Sequence, residues 1–320
     1  MNDTNDINEI FNELRPRLHG IAYRMLGSKE EAEDLVQDAW VRWRQSANGA
    51  ADQAVDNPQA WLVSVVTHLA IDRLRAAKVE REHYIGMWLP EPVMPDVSPS
   101  PEKMLEQAEN ISIAFLTMLE RLSPESRAAF LMREVFGASY SEISLTLRKS
   151  EAACRQLVHR AKMQLLEKRK RFRVKPEDHI RLLKEFAEAA RRGDISALRT
   201  LLADDAEFVG DGGGKVQSFG VPLRGSDRIA RLYYATGRRY GARVHMRIAP
   251  VNGEWGLLRF IDGELESVQS FETDDAKILR IQAQRNPEKL AALAAILKRG
   301  GAVGARTGAG TEPITNLDRH

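Results

Sequence analysis

The sequence predicts a multidomain chain: two all-α domains, the second built on a helix-turn-helix, followed by an α+β domain. Three observations point there. Apolar residues recur at three- and four-residue steps through most of the first half. The stretch "MWLPEPVMPDVSPSPE", Met87–Glu102, carries Pro90, Pro92, Pro95, Pro99 and Pro101 and divides that helical half in two. Beyond Pro176 the pattern turns to period two, as in "RVHMRIA", where Arg243, His245 and Arg247 alternate with Val244, Met246 and Ile248.

In the first domain, Ile7, Ile10, Phe11, Leu14 and Leu18 mark one helix. Ser28 caps the next, with Glu31 three residues on as its capping-box partner. That helix, "KEEAEDLVQDAWVRWRQS", has acids early and arginines late, as the helix dipole favours. Residues 48–58 read as a loop. A helix over 58–84 follows, apolar at first and then carrying Arg73, Arg75, Lys78 and Arg81. In the second domain, Ser123-Pro124 starts a helix and Gly137 ends the pattern. Ser139 with Glu142 caps "SYSEISLTL", "RKS" is a turn, and "EAACRQLVHRAKMQLLEKRKRF" is a long helix.

The third domain opens with an amphipathic helix (Ile180, Leu183, Ala187, Ala190) and a shorter one from Ile195 to Leu202. Strands follow: "RVHMRIA", then the hairpin "WGLLRFIDGELESVQSF" turning at Asp262-Gly263, then "KILRIQAQR". Asn286-Pro287 caps a final helix with Leu290, Leu293, Ala294 and Leu297. The glycine-rich stretch from Gly300 reads as a disordered tail. The expected division is therefore 1–86, a proline-rich linker over 87–101, 102–172, 176–299, and a tail over 300–320.

Composition narrows the function. The 320 residues are 43% hydrophobic and 29% charged, with a net charge of +2, so local rather than bulk charge must identify any nucleic-acid surface. Cys154 is the single cysteine, which excludes an internal disulfide or a multi-cysteine zinc site. No cofactor or metal site is expected. The N-terminal "MNDTNDINEIF" is polar and acidic, unlike a signal peptide, and no apolar run nears the roughly 20 residues of a membrane span. The expectation is a cytoplasmic protein with no membrane partner.

The segment 139–171 carries the sharpest chemistry. Its second helix sets Cys154, Leu157, Val158, Ala161 and Leu165 on one face and Arg155, Gln156, His159, Arg160 and Lys162 on the other. Lys168, Arg169, Lys170 and Arg171 continue the charge. Arginine and glutamine near the start of a recognition helix can pair with guanine and adenine edges, while the later cations suit phosphates. The plain alternative is an amphipathic helix with a solvated basic face. The basic end of the 58–84 helix is open in the same way: a charged surface, or arginines laid along a phosphate backbone. If the linker is extended at about 3.1 Å per residue, it could hold two DNA-reading modules roughly 50 Å apart.

"EEAEDLVQDAWVRWRQ", "AWLVSVVTHLAIDRLRAAK" and "LERLSPESRAAFLMREVFGASYSEISLTLRKSEAACRQLVHRAKMQL" resemble the two conserved parts of extracytoplasmic-function (ECF) sigma factors, the sigma-70-type initiation subunits of bacterial RNA polymerase. The resemblance covers about residues 7–172. "WLPEP" (88–92), "DGGGK" (211–215) and "NPEKL" (286–290) resemble marks of the subgroup with a fused C-terminal SnoaL-like domain. Core RNA polymerase, through its β′ clamp helices and β flap, and promoter DNA are the partners this implies. It also implies that Asp34, Gln37 and Asp38 meet the clamp helices. It assigns His68, Asp72, Arg73, Arg75 and Lys78 to the −10 element, with asparagine common in the family where this chain has His68. Arg155, Gln156 and His159 would read the −35 element, and Arg160 and Lys162 would contact its phosphates.

For the third domain the resemblance implies an α+β cone with a pocket able to take a small apolar ligand. Asp211, Asp227, His245 and Asp262 are its candidate acid/base groups, but Asp262 reads more simply as a turn residue and His245 as a solvated one, so no catalytic residue is expected. Trp88 and Leu89 are expected to dock near "DGGGK" (Asp211, Gly212, Gly213, Gly214, Lys215) or the helix opened by Asn286 and Pro287. Docking would hold the promoter-reading modules in a fixed arrangement. Alternatively, Trp88 completes the core of the first domain. The leading function is a polymerase sigma factor modulated in cis by its C-terminal domain. A ligand-sensing helix-turn-helix regulator acting without polymerase, and a cone-fold enzyme tethered to DNA, are the alternatives.

Overall fold

The structure, a computed structural model, describes residues 3–48, 57–82, 84–95, 111–169, 174–274 and 276–307. The chain divides into two compact units: Met1–His83 with Met118–Lys168, and Tyr84–Thr117 with Arg169–His320.

The first unit is all helical. Helices α1 (Asp3–Leu26), α2 (Lys29–Asn48) and α3 (Pro58–Glu82) pack around Leu18, Ile21, Leu35, Ala39, Leu62 and Val66. Ser28 caps α2, its Oγ accepting from the Glu31 N–H at 3.3 Å. Trp43 is buried, donates its indole N–H to the Ile7 carbonyl at 3.2 Å and lies 5.5 Å from the Trp61 ring. A short helix α4 (Ile113–Leu119) precedes α5 (Pro124–Phe130), which begins with the Ser123 cap and continues as a π-helical turn, Leu131–Val135. The helix-turn-helix is α6 (Tyr140–Leu147) and α7 (Glu151–Arg169). Ser139 and Glu142 form a complete capping box, and Arg148 ends α6 in the left-handed region at φ 51°. Cys154, Val158, Ala161 and Leu165 are buried, as a core-facing stripe requires.

Both helical modules belong to this one unit because α5 and α6 pack against α3. The guanidinium of Arg127, buried in α5, donates to the Met25 carbonyl at the end of α1 at 2.5 Å and to Glu120 at 2.8 Å.

The second unit is a six-stranded mixed sheet covered on both faces. Helices α8 (Pro176–Arg192) and α9 (Ile195–Leu201) lead into β1 (Leu202–Asp211) and the short β2 (Leu223–Arg224). Helix α10 (Ser226–Tyr240), a 3-10 turn, β3 (Val244–Val251), β4 (Glu254–Ile261), β5 (Glu264–Thr273), β6 (Ile278–Gln284) and α11 (Pro287–Thr307) complete it. The order is β2-β1-β6-β5-β4-β3; β1 pairs parallel with β6 and every other pairing is antiparallel. The β4–β5 turn carries Asp262 at φ 54° and Gly263 at φ 81°, the two positive angles that match a twisted hairpin. Side chains of Phe186, Phe208, Tyr233, Leu257, Phe271 and Ile281 fill the face under α8, α9 and α10. Val251, Leu258, Val268, Leu290 and Leu293 fill the face under α11.

Helix α11 runs to Thr307, past Gly300 where the sequence suggests a tail, and residues 308–320 lie outside the described ones. Helix α10 and strand β1 are absent from the sequence reading, although Ile229, Ala230 and Tyr233 of α10 are buried at helical spacing.

One feature of the sheet has a measurable pH signature. Glu254 starts β4; burial, then the charge of Glu272, pushes its carboxyl up to about 8. The folded chain therefore holds a proton that the unfolded chain has released above the usual carboxylate pKa. That costs stability increasingly as pH rises from about 4.5 to about 8. Glu254→Gln should raise the urea midpoint at pH 8, by on the order of 2 kcal/mol, and leave it unchanged near pH 4. An equal effect at both pH values would contradict this.

Candidate functional site: two helical surfaces and a docked strap

On the first unit, α2 presents Asp34, Gln37 and Asp38 to solvent beside buried Leu35, Val36 and Ala39. On α3, Asp72 and Arg75 are exposed and Arg73 half-buried, while His68 is held by its ring Nδ1–H, which donates to the Ser64 carbonyl at 2.8 Å. The side chain of Lys78 lies outside the described residues. The α2 and α3 groups are linked: Arg73 pairs with Asp38 at 3.3 Å. Arg75 pairs with Asp72 at 3.2 Å and with Glu125 of α5 at 2.5 Å. Burial alone would raise the Glu125 carboxyl, but the hydrogen bond and charge of Arg75 outweigh it and hold it below the usual range. In this arrangement a carboxylate of α5 occupies an α3 arginine.

On α7, Arg155, Gln156, His159 and Arg160 are exposed along one face opposite the buried stripe. Arg155 pairs with Glu151 at 2.8 Å and lies 4.8 Å over the Tyr140 ring, which orients it at the start of the helix. Lys162 is half-buried and pairs with Glu134 at 2.8 Å. Side chains beyond Leu165, including Lys168 to Arg171, lie outside the described residues.

The second unit contains a strap, residues 84–95, bound along the end of the sheet where β1 and β6 run parallel. Asp211, the last residue of β1, is fully buried. Its Oδ1 accepts from the Tyr84 hydroxyl at 2.7 Å and the Gly213 N–H at 3.0 Å. Its Oδ2 accepts from the Leu89 N–H at 2.9 Å, Gln284 Nε2 at 3.0 Å and Lys289 Nζ at 2.8 Å. Lys289 also donates to the Leu89 carbonyl at 2.7 Å, and its ammonium sits 4.3 Å over Trp88 and 5.0 Å over Tyr84. The carboxylate thus compensates a lysine whose other faces meet indole and phenol rings. Burial, and then the hydrogen bond to Asp211, raise the Tyr84 hydroxyl pKa.

Leu89 is 1% exposed and Pro90, Glu91 and Pro92 are buried; Trp88 is half-buried. Farther along, the Val93 N–H donates to Asn252 Oδ1 at 2.9 Å, and Asn252 Nδ2 donates to the Ile111 carbonyl at 2.9 Å. The glycines are steric necessities: a Cβ on Gly213, at φ 58°, would lie 2.2 Å from Asn286, and one on Gly212 would lie 2.2 Å from the Val216 carbonyl. A Cβ on Gly214 would press on Ile85 at 3.0 Å. Asn286 donates from Nδ2 to Tyr84 at 3.2 Å and accepts the Glu288 N–H at 3.0 Å, opening α11 at Pro287. Lys215 instead forms an exposed pair with Glu288 at 3.0 Å.

Tyr84, Asn252, Gln284 and Lys289 are strap contacts that sequence reading does not single out; Lys289 lies inside "NPEKL" and was the accessible signal. The acid/base candidates do not converge. Asp211 is committed to the strap, Asp227 to Arg231 and Arg199, and Asp262 to Arg243, while His245 is exposed. His245 lies at a crevice of about 340 Å³ between α8, α10 and β3, lined mainly by Ala187, Ala190, Tyr233, Gly237 and Met246.

The Sigma-70 region 2 profile matches residues 10–79 and the Sigma-70 region 4 profile residues 112–165. Over 290 residues, 87% of this chain and 91% of the relative, the chain is 34% identical to the ECF RNA polymerase sigma factor SigJ of Mycobacterium tuberculosis. The chain belongs to the ECF sigma factors. It is also 30% identical over 290 residues to the probable ECF RNA polymerase sigma factor SigI of the same species, covering 89% of this chain and 95% of that one. The crystal structure of M. tuberculosis SigJ matches with a TM-score of 0.68 at 30% identity, over 88% of this chain and 98% of that one. In this ECF sigma factor, α1–α3 form the region 2 module, α4–α7 the region 4 module, and the sheet with its helices the SnoaL-like α+β domain. No helix among the described residues is long and apolar enough to cross a membrane.

Proposed function

We propose that this ECF sigma factor directs core RNA polymerase to a subset of promoters and that its SnoaL-like domain restrains it by holding the strap. Asp34, Gln37 and Asp38 meet the polymerase clamp helices; His68, Asp72, Arg73, Arg75 and Lys78 serve the −10 element. Arg155, Gln156 and His159 read the −35 element, with Arg160 and Lys162 on its phosphates and the region 4 module on the β flap. The chain acts as a binding subunit, not as a catalyst.

The observation that carries the restraint is the Asp211–Lys289 clamp on Tyr84, Trp88 and Leu89. Residues 84–95 lie on the chain between α3 and α4, so fixing them shortens the tether between the two promoter-reading modules. The Arg75–Glu125 pair works in the same direction, since Arg75 must leave Glu125 before it can meet DNA. Run-off transcription with purified core enzyme tests the central reading. The chain should start transcripts unaided, whereas a conventional helix-turn-helix regulator would not. Arg155→Ala and Gln156→Ala should each weaken discrimination at one −35 position roughly 5- to 150-fold, the worth of a bidentate base contact. An unchanged −35 preference in both variants would remove α7 from that role.

The crevice between α8, α10 and β3 suits a small apolar ligand, since alanine and glycine on the two helices leave its space open. Such a ligand would raise the unfolding midpoint with the logarithm of its concentration.

A further inference from the structure

A second cavity lies in the first unit, away from the strap and the apolar crevice. It is a cleft of about 430 Å³ lined by Arg42 of α2, Trp61, Ser64, Val65 and His68 of α3, and Arg148 from the turn of the helix-turn-helix. Its chemistry is selective. Two guanidinium groups from different modules border it, both on exposed residues and neither with a carboxylate partner among the described residues. Trp61 supplies an aromatic wall, fixed from behind by Trp43 at 5.5 Å. The His68 Nδ1–H is spent on the Ser64 carbonyl, which leaves Nε2 as an acceptor, and the Ser64 hydroxyl adds a second polar edge. The volume lies within the usual range for small-ligand sites.

An aromatic face, a polar edge and paired arginines together recognise one kind of molecule. We propose that this cleft binds a nucleobase carrying a 5′-phosphate, with the base on Trp61 and its edge at His68 and Ser64, and the phosphate between Arg42 and Arg148. Arg148 holds a left-handed backbone angle at the end of α6, so its side chain leaves from a fixed turn. A ligand touching both arginines ties the region 4 module to the region 2 module. Free nucleotides and an unpaired promoter strand share this chemistry. The site would sense the first in the free protein or accept a base of the second.

The test is titration of the full chain with thymidine 5′-monophosphate, adenosine 5′-monophosphate and a short single-stranded oligothymidylate. Saturable binding is expected with a dissociation constant below about 1 mM, weakening as salt rises. Arg148→Asn suits the left-handed backbone, and Arg42→Gln lies on an exposed helix face. Each should lose about tenfold in affinity, the worth of one charge-assisted phosphate contact, while Arg148→Lys retains most of it. Mononucleotides binding as tightly as the oligonucleotide identify the free nucleotide as the source; a clear preference for the oligonucleotide identifies the single strand. No saturation by any probe, or binding indifferent to both arginine variants, overturns the proposal. Because the readout is binding to the free protein, its failure leaves the polymerase-directing role untouched.

Discussion

Asp211→Ala should release residues 84–95 from the SnoaL-like domain and increase transcription from a dependent promoter. The carboxylate accepts from Tyr84, Leu89, Gly213, Gln284 and Lys289, and it is fully buried. Removing it strands the Lys289 ammonium, 16% exposed at the side chain, among groups that cannot neutralise it. Breaking one partner of a buried pair typically costs about 3–5 kcal/mol, more than a short segment with few other contacts can sustain. The strap should therefore open before the sheet does. Amide exchange at Leu89 and Val93 should accelerate while that of β5 stays slow. Lys289→Met provides a second reading: it removes the charge and keeps packing against Trp88 and Tyr84, so it should loosen the strap less than Asp211→Ala. Restraint by the strap would be refuted by faster exchange at Leu89 with no gain in run-off transcript. A loss of transcript would reverse the sign of the regulation.

The second large effect is expected at Arg127. This residue is 2% exposed and joins α5 to the end of α1 through the Met25 carbonyl at 2.5 Å, with Glu120 at 2.8 Å as its counter-charge. Arg127→Ala leaves a cavity, an unpaired Glu120 and an unsatisfied carbonyl, a loss of about 3–4 kcal/mol. Arg127→Met with Glu120→Gln should recover a good part, because the buried charge requirement vanishes from both sides at once. Urea denaturation of the single and double variants measures this. Additive losses would show that the two side chains are not energetically coupled. The wider consequence is for region 2 and region 4, which separate more easily once α5 no longer grips α1.

Much of the fold is legible locally. The Ser28, Ser123 and Ser139 caps, the "RKS" turn and the Asp262-Gly263 hairpin are written in residues three or four apart, and the structure places each there. The recognition helix is legible for the same reason, since a buried stripe through Cys154, Val158, Ala161 and Leu165 forces Arg155, Gln156, His159 and Arg160 outward. Strand β1 is harder to see. Its burial is two-sided at its end and its parallel partner β6 lies far along the chain, so no alternation or hairpin turn announces it. Helix α10 carries a readable periodicity that arginines and tyrosines obscure.

The sequence alone determined what depends on near neighbours: the helix boundaries, the helix-turn-helix, the hairpin, and the motifs by which the family is recognised. Only the tertiary structure decided what Asp211 is for. Next to three glycines it reads as a reactive loop residue. It becomes a strap anchor because the parallel pairing of β1 with β6 sets Asp211 beside Gln284 and close to Lys289. The same holds for Arg75 and Glu125, and for Arg42 and Arg148 around one cleft. Such charges meet only after helices distant in sequence have buried their apolar faces against one another. The pattern of any single segment records which face is apolar, but not which charge will stand opposite its polar one.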